Sequence, residues 1–585
     1  MVYRILRRIS RIALALLVFI VAGITYPGAV LVAMVTRLTP SPSISSAATG
    51  ALPWLHVEHP RAGTPFIADD RGRIVLLHGA IPQGLIDFYS TADTLRTDPP
   101  PFYPIDPAAY DGRCPDNSPY MPTPPLCKED MSAMASLGFN SVRLPVSWSL
   151  LEPVRGRINQ LYIDRVAQVV DWAKSAGMYV IIDMHQNAYS RYVGRSSPVP
   201  LPKGEVTNLR FNTGAPPWAT LTDGFPSETY LGQRELNPAV MEASSNFWYD
   251  RNGIQDAYIA AVASLAKRFK SESAVAGYSL FNEPWPGWNL PPGFEDLLLF
   301  PFYRRAIDAI TGARDGIPCW TGFYMPPPCG YPDLGIHDQN HLFFMEAGLL
   351  RHVTDFPTHL GLPVSSYPNL VLSIHTYTHV FTLDHLFKLD PKSYPWGQYD
   401  QTYALAQKEA TALNAALFVA EFGNFRSDDA QILADELLEQ EKHVVGFAFW
   451  TWKENCGGSS TWGLYDGIDC AQGTASTQSS GCLRANRERL LARVYPRASA
   501  DPKLTYHYDS DTGAFTFQAR GRAGDSPSGI YIPREVTGQV ALFGAFSDES
   551  VATNSDGSRL VTAMPAGGAF SIAVSAAPLA LTGCP

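Results

Sequence analysis

A chain of 585 residues has the length of roughly four average domains, or of fewer if one of them is a large α/β barrel. Apolar residues make up 46% and charged residues 17%, which excludes a charge-rich disordered chain, and 45 basic against 55 acidic residues give a net charge of −10, which excludes a uniformly basic nucleic-acid binder. Aromatics at 12%, with 46 Gly and 48 Pro, favour shaped loops and stacking surfaces, an inventory that suits carbohydrate and lipid ligands.

Arg4, Arg7, Arg8 and Arg11 precede an uncharged stretch from Ile12 to Thr36, long enough to cross a hydrocarbon core as a helix. Residues 1–37 therefore read as a signal anchor, or as a signal peptide cleaved among the small residues from Ser45 to Ala48. Either way the rest is exported, membrane-anchored or secreted. Residues 38–52, containing TPSPSISSAATG, read as a linker, 53–496 as a catalytic barrel and 497–585 as a C-terminal β-sandwich.

Beyond the linker, apolar runs recur at intervals that leave room for helices between them. They are IVLLHG from Ile74, NSVRLP from Asn140, YVIIDMH from Tyr179, AGYSLFNE from Ala276, LFFME from Leu342, LVLSIH from Leu370, LFVAEF from Leu417 and VGFAFW from Val445. Amphipathic stretches such as Ile163–Ala176 and Ala257–Lys270 separate several of them. Eight strand–helix units predict an α/β fold, a (β/α)8 TIM barrel, whose function sits at the C-terminal strand ends. Those ends carry Arg143, Asp183 and His185, Asn282 and Glu283, Glu346, His375 and Tyr377, Glu421, and Trp450. One such residue could be a capped strand end, but a whole ring of them has no structural need to converge on one rim. Past Pro496, YHYDSDTGAFTFQ alternates around a turn at Asp511–Gly513, and GIYIP, VALFGAF, LVTAM and AFSIAV are short and β-rich, which predicts the terminal sandwich.

The eight cysteines suit an oxidising compartment. Cys114–Cys127 and Cys319–Cys329 are expected as local bridges, while Cys456, Cys470, Cys482 and Cys584 allow three pairings. No CxxC occurs, so neither a zinc site nor a redox pair is expected. His375 and His379 have the spacing of a metal pair on a helix, yet they leave a strand and find no third ligand nearby. No metal and no cofactor is expected.

Glu283 and Glu421, at the ends of the fourth and seventh strands, would face one another across the mouth, and glycosidic cleavage needs such a pair of carboxylates. FNEPWPG from Phe281 to Gly287, HTY from His375 to Tyr377 and AEFG from Ala420 to Gly423 resemble glycoside hydrolase family five. The extended NEPWPG, IDMHQNAYSR from Ile182 to Arg191, and GAPPWA from Gly214 to Ala219 are similar to its endoglycoceramidase-like branch. The resemblance covers about Trp54 to Pro496, and YPRA at Tyr495–Ala498 extends it to the domain junction. It implies Glu283 as general acid/base, kept protonated by its surroundings, and Glu421 as an ionised nucleophile, with retention at the anomeric carbon. It further implies that Asn282 holds the sugar 2-hydroxyl, that Arg143 and Tyr377 orient Glu421, that His185 and His375 line the reacting subsite, and that Trp450 lies beneath the sugar. Asp183 and Asn187 complete the expected sugar contacts. Two departures fall on recognition loops: Asn187 stands where the branch carries an aspartate, and the first loop, GAIPQGLIDFYS from Gly79, lacks the branch's lysine.

The segment Pro284–Arg305 could present Trp285, Trp288 and Leu297 to Phe300 to a lipid tail, or be an ordinary buried helix start. The leading expectation is a retaining β-glycosidase, monomeric and working near a membrane surface on a glycolipid or oligosaccharide. It would be endoglycoceramidase-like or glycosylceramidase-like. The alternatives are a polysaccharide endo-β-glucanase or mannanase, and a non-catalytic carbohydrate- or lipid-binding surface protein.

Overall fold

The computed structural model describes residues 51–583 apart from 62, 88–103, 113, 116–123, 194–204, 207–211, 231–232, 290–292, 314–329, 358–366, 383–397, 426–428, 455–461 and 466–481. The expected anchor at 1–37 and the Cys319–Cys329 bridge lie outside these residues. Among the described residues no helix is long and apolar enough to cross a membrane. Cys114 and Cys127 form the expected bridge.

Three short strands come first: β1 (Leu55–Glu58), β2 (Phe66–Asp69) and β3 (Ile74–Val75). The barrel strands follow as β4 (His78–Ala80), β5 (Ser141–Val146) and β6 (Tyr179–Met184). A small hairpin, β7 (Glu205–Val206) and β8 (Glu228–Thr229), intervenes before β9 (Val275–Ser279), β10 (Leu342–Glu346), β11 (Leu370–Thr376), β12 (Ala416–Phe422) and β13 (Gly446–Phe449). The eight parallel strands close in the order β4-β5-β6-β9-β10-β11-β12-β13, with β13 bonded back to β4. The expected barrel is present. The run Ile74–Gly79 differs from expectation in serving two sheets: Ile74 and Val75 pair with the C-terminal strands, and only His78 onward enters the barrel.

Strand alternation sorts the core. Tyr179, Ile181, Phe344, Val371 and Phe418 point into the barrel, where they pack with Leu55, Val57 and Ile67 of the β1–β2 hairpin. Val142, Leu144, Val180, Ile182, Leu372 and Val419 face the surrounding helices. The hairpin plugs the floor: Tyr179 donates to the Pro53 carbonyl, Val57 N–H donates to Asn369 Oδ1, and Trp54 lies edge-on to His341.

The C-terminal part comprises β14 (Tyr495–Ser499), β15 (Thr505–Tyr508), β16 (Phe515–Gly521), β17 (Ser528–Ile532), β18 (Val540–Thr553) and β19 (Arg559–Val574). With β1–β3 these make a nine-stranded antiparallel sheet. β19 pairs along one edge with β17 near its start and β16 near its end, while register shifts between Gly544 and Asp548 bend its other neighbour, β18. Phe517, Ile530, Ile532, Val561 and Ile572 form the core of this part.

Behind β11, Glu436 on the helix Asp429–His443 accepts a hydrogen bond from the Tyr403 hydroxyl at 2.6 Å. Burial pushes its carboxyl up to about 8, and burial pushes the nearby Asp355 up to about 6 against the pull of Arg351. Both folded values exceed the ordinary 4.5 and 3.8, so the folded chain holds more protons than the unfolded one in that window, and stability falls as pH rises from about 5 to 8. Glu436→Gln, which mimics the protonated acid, should flatten this decline and raise the melting temperature at pH 8 with little change at pH 5. Parallel melting curves of variant and wild type at both ends of the window would rule the reading out.

Candidate active site

Alternation along the strands delivers four of the site's side chains. Arg143, Asp183, Glu346 and His375 share the inward parity of Ile181, Phe344 and Val371, one layer above the packed interior. Glu421 does not follow this rule, because Ala416, Phe418 and Ala420 already occupy the inward positions of β12. A bulge re-aims it: Ile374 pairs with Val419 but His375 pairs with Glu421, so one extra residue is absorbed and the next side chain turns inward. Glu283 lies beyond the end of β9 and takes a left-handed φ of 42°, which turns the chain sharply at the rim.

Arg143 is the hub. Its Nη1 donates to Glu421 Oε1 at 2.5 Å, and its Nη2 is shared by Asp183 Oδ1 at 3.0 Å, Asn282 Oδ1 at 2.8 Å and Glu346 Oε1 at 2.7 Å. Tyr377 donates its hydroxyl to the other oxygen of Glu421 at 2.8 Å. Asp183 Oδ2 bonds His185 Nδ1 at 2.8 Å, and the His185 ring lies parallel to Trp450 at 5.5 Å. Gln186 donates to the carbonyls of both Asn282 and Glu283, at 2.7 and 2.8 Å, clamping the loop that bears Glu283.

His375 Nδ1 lies 3.0 Å from Glu283 Oε1 and 3.4 Å from Glu421 Oε2. The nearest oxygens of the two glutamates can therefore be no farther apart than those two lengths laid end to end. That bound admits the roughly 5–5.5 Å carboxyl separation of a double displacement.

Burial would strip the proton from His375, but the charges of Glu346 and Glu421 and bonds to Glu283 and Glu346 outweigh it and push the imidazole up to about 10. Burial by itself acts to raise the carboxyls of Glu283 and Glu421. At Glu283 the hydrogen bond and charge of His375, with Arg234, more than offset burial and hold that carboxyl below its ordinary value. At Glu421 burial wins over His375 and Arg143, with Glu283 adding to it, and the carboxyl sits above its ordinary value. Sequence reasoning placed the labile proton on Glu283. In the structure the imidazole raised to about 10 lies within hydrogen-bond reach of Glu283, whose own carboxyl is held below its ordinary value.

Other expectations are met unevenly. Asn187 is buried next to the site, and its main chain exchanges hydrogen bonds with Thr213 at 3.0 and 3.2 Å. Trp285 is buried at 7% exposure, its carbonyl accepting from Trp248 Nε1 at 2.7 Å. Leu298, Leu299 and Phe300 are also buried and belong to the barrel–helix core, so the lipid-facing reading of that run is corrected: the segment is a packed helix start. Trp288 remains, 47% exposed, its ring 5.7 Å from Phe225 and its Nε1 donating to Glu242 at 2.8 Å. Arg234 escaped sequence reasoning altogether. It opens the short 3-10 turn Arg234–Leu236 after β8, and Glu235, Glu283 and Glu421 hold it more firmly charged against its partial desolvation. No periodicity marks such a loop position. Glu283, His352 and His375 bring ligand atoms together, inside the carboxylate network just described.

Residues 117–313 match the family model described as cellulase, glycosyl hydrolase family 5. Endoglycoceramidase I of Rhodococcus hoagii is 24% identical over 473 residues, 77% of this chain and 81% of that protein. The crystal structure of an endogalactoceramidase superposes with a TM-score of 0.69 at 29% identity, covering 90% of this chain and all of the other. Residues 117–313 carry a glycoside hydrolase family five domain. Within the family, this hydrolase falls in the endoglycoceramidase-like branch, as its NEPWPG and IDMHQNAYSR segments imply. Endo-glycoceramidase II from Rhodococcus sp. in complex with ganglioside GM3 shares the fold at 22% identity and a TM-score of 0.63 over 88% of the chain. As a family five enzyme the chain is a retaining glycoside hydrolase, and the geometry at His375 agrees.

Proposed function

We propose that this family five hydrolase cleaves the β-glycosidic bond between a sugar head group and a lipid aglycone. Glu421 Oε attacks the anomeric carbon while the aglycone oxygen leaves, taking a proton from Glu283. Glu283 draws that proton from His375 across their 3.0 Å contact as it donates, and is left ionised when the aglycone has gone. A water then hydrolyses the glycosyl–Glu421 ester, losing its proton to Glu283, and the site returns to its starting state. Arg143 and Tyr377 hold Glu421 for in-line attack and stabilise its charge as it re-forms.

The observation that carries the lipid assignment is the exposed Trp288, five residues past Glu283 in the loop on the leaving-group side, paired with Phe225. The 29% identical endogalactoceramidase, matched over nearly the whole chain, supports the same reading. A polysaccharide hydrolase would want aromatic platforms for successive sugars, and the buried Trp285 and Leu298 do not supply them. A membrane-surface location fits the loop between β5 and the helix Gln160–Ser175. Val154 and Ile158 of that loop and Leu161 in the helix's first turn are exposed, interleaved with Arg155 and Arg157, in a chain of net charge −10.

The purified enzyme should release head group from a glycolipid and leave soluble β-glucans and mannans intact. Trp288→Ser should raise KM for the glycolipid about tenfold, from roughly 1.5 kcal/mol of lost apolar contact, with little effect on a short aryl β-glycoside. Equal responses of the two substrates would remove the bottom-up case for a lipid aglycone.

A further inference from the structure

We propose that Glu346 is a positioning residue for the reaction: one buried carboxylate that fixes the main chain of the acid/base and the imidazole of His375 together. This rests on the assignment of Glu283 and Glu421 above and extends it to a residue outside the catalytic pair.

The side chain of Glu346 is fully enclosed at the end of β10. Its Oε1 accepts from Arg143 at 2.7 Å. Its Oε2 accepts the main-chain N–H of Glu283 at 2.7 Å and lies 3.3 Å from His375 Nε2. Each oxygen thus answers a different part of the machinery. The bond to the Glu283 N–H matters because that residue holds a left-handed φ, a conformation a non-glycine residue keeps only when its surroundings impose it. Glu346 is itself anchored, since the Tyr303 hydroxyl donates to its carbonyl at 2.7 Å and accepts from its N–H at 3.1 Å. The carboxylate cannot follow Glu283 if that loop drifts. It is a fixed post against which the loop is set.

The second duty is electrostatic. His375 is faced by Glu346 from β10, Glu421 from β12, Glu283 from the loop after β9, Arg143 from β5, Tyr377 two residues along its own strand, and His352, whose ring stacks on it at 4.5 Å. Burial and the neighbouring cations His375, Arg351 and Arg143 hold His352 well below its ordinary value, hence neutral. Among the carboxylates facing His375, Glu346 is the one that neither attacks nor transfers a proton to substrate. Its charge can therefore stay constant through the cycle and keep the imidazole loaded.

A glutamine at this position has one acceptor oxygen for two sets of donors. Glu346→Gln should lower kcat about 10²-fold with KM within about threefold, since the reacting groups are displaced while the sugar contacts stay. The His375 imidazole, followed by its ring ¹⁵N shifts, should titrate about one to two units lower. Glu346→Asp keeps the charge on a shorter arm, so its His375 titration should stay near wild type while kcat stays low. Wild-type kcat in either variant, or an unmoved His375 titration in a folded Glu346→Gln, overturns the proposal. If Glu346→Gln does not fold, the aspartate variant decides alone: low kcat with unchanged His375 titration upholds it and wild-type kcat ends it. The titration does not depend on turnover. An inert wild-type enzyme whose His375 still shifts in Glu346→Gln would retain Glu346 as the post for the imidazole and sink the glycosidase reading only.

Discussion

Glu421→Gln is expected to reduce turnover on every β-glycoside by a factor on the order of 10⁴ or more, with the melting temperature close to that of the wild type. The amide is isosteric and can still accept from either Arg143 or Tyr377, so the pocket keeps its shape while losing the group that forms the ester. No neighbour can substitute. Asp183 and Glu346 are engaged with Arg143 one layer away, and Glu283 lies on the leaving-group side. The companion measurement is the anomer first released by the wild type, followed by proton NMR before mutarotation. Retention is expected. An inverted product, or a glutamine variant with more than about one hundredth of wild-type activity, would refute Glu421 as nucleophile.

The second large effect belongs to Glu283→Ala and depends on the leaving group. For a lipid alkoxide, which departs only with a proton, kcat/KM should fall roughly 10³-fold. For a dinitrophenyl glycoside, which departs as a stable anion, the fall in kcat/KM should be about tenfold at most. Breakdown of the covalent intermediate is then slow, because the base is gone as well as the acid. Added azide should relieve it and yield a β-glycosyl azide, as the anion attacks the ester from the face that water uses. Equal losses on both substrates would assign the acid to another group. Because Glu421 titrates above its ordinary value and His375 at about 10, wild-type activity should fall on the acid side as Glu421 gains a proton. It should fall on the alkaline side as the His375–Glu283 unit loses one.

Much of the site was legible because a strand has period two. Once the apolar runs were recognised as barrel strands, their last polar residues were candidates for the mouth, and Arg143, Asp183, His375 and Glu346 arrive there by parity alone. Glu421 arrives against parity. Its motif identified it, but the bulge that turns it inward depends on the pairing of β11 with β12, which no single strand encodes. The lipid-facing reading of Leu297–Phe300 failed for a related reason. An apolar run after a Trp-rich loop has the same composition whether it faces lipid or packs against its own barrel, and here Phe247, Trp248 and Phe302 already form the surface it packs on. The raised imidazole of His375 was equally hidden, because it follows from three carboxylates from three segments surrounding one ring.

The β1–β2 hairpin gives the molecule a polarity. It enters at the strand beginnings, among Tyr179, Asn369 and His341, whereas the reacting groups crown the strand ends. Ala51 and whatever precedes it therefore join at the pole farthest from the cleft. Held on a support through its amino-terminal side, the enzyme would present an open cleft to the opposite surface. Were residues 1–37 to act as a leash, the head groups within easiest reach would be those of a facing bilayer or a passing micelle, and the leaflet holding the leash would be the hardest to serve.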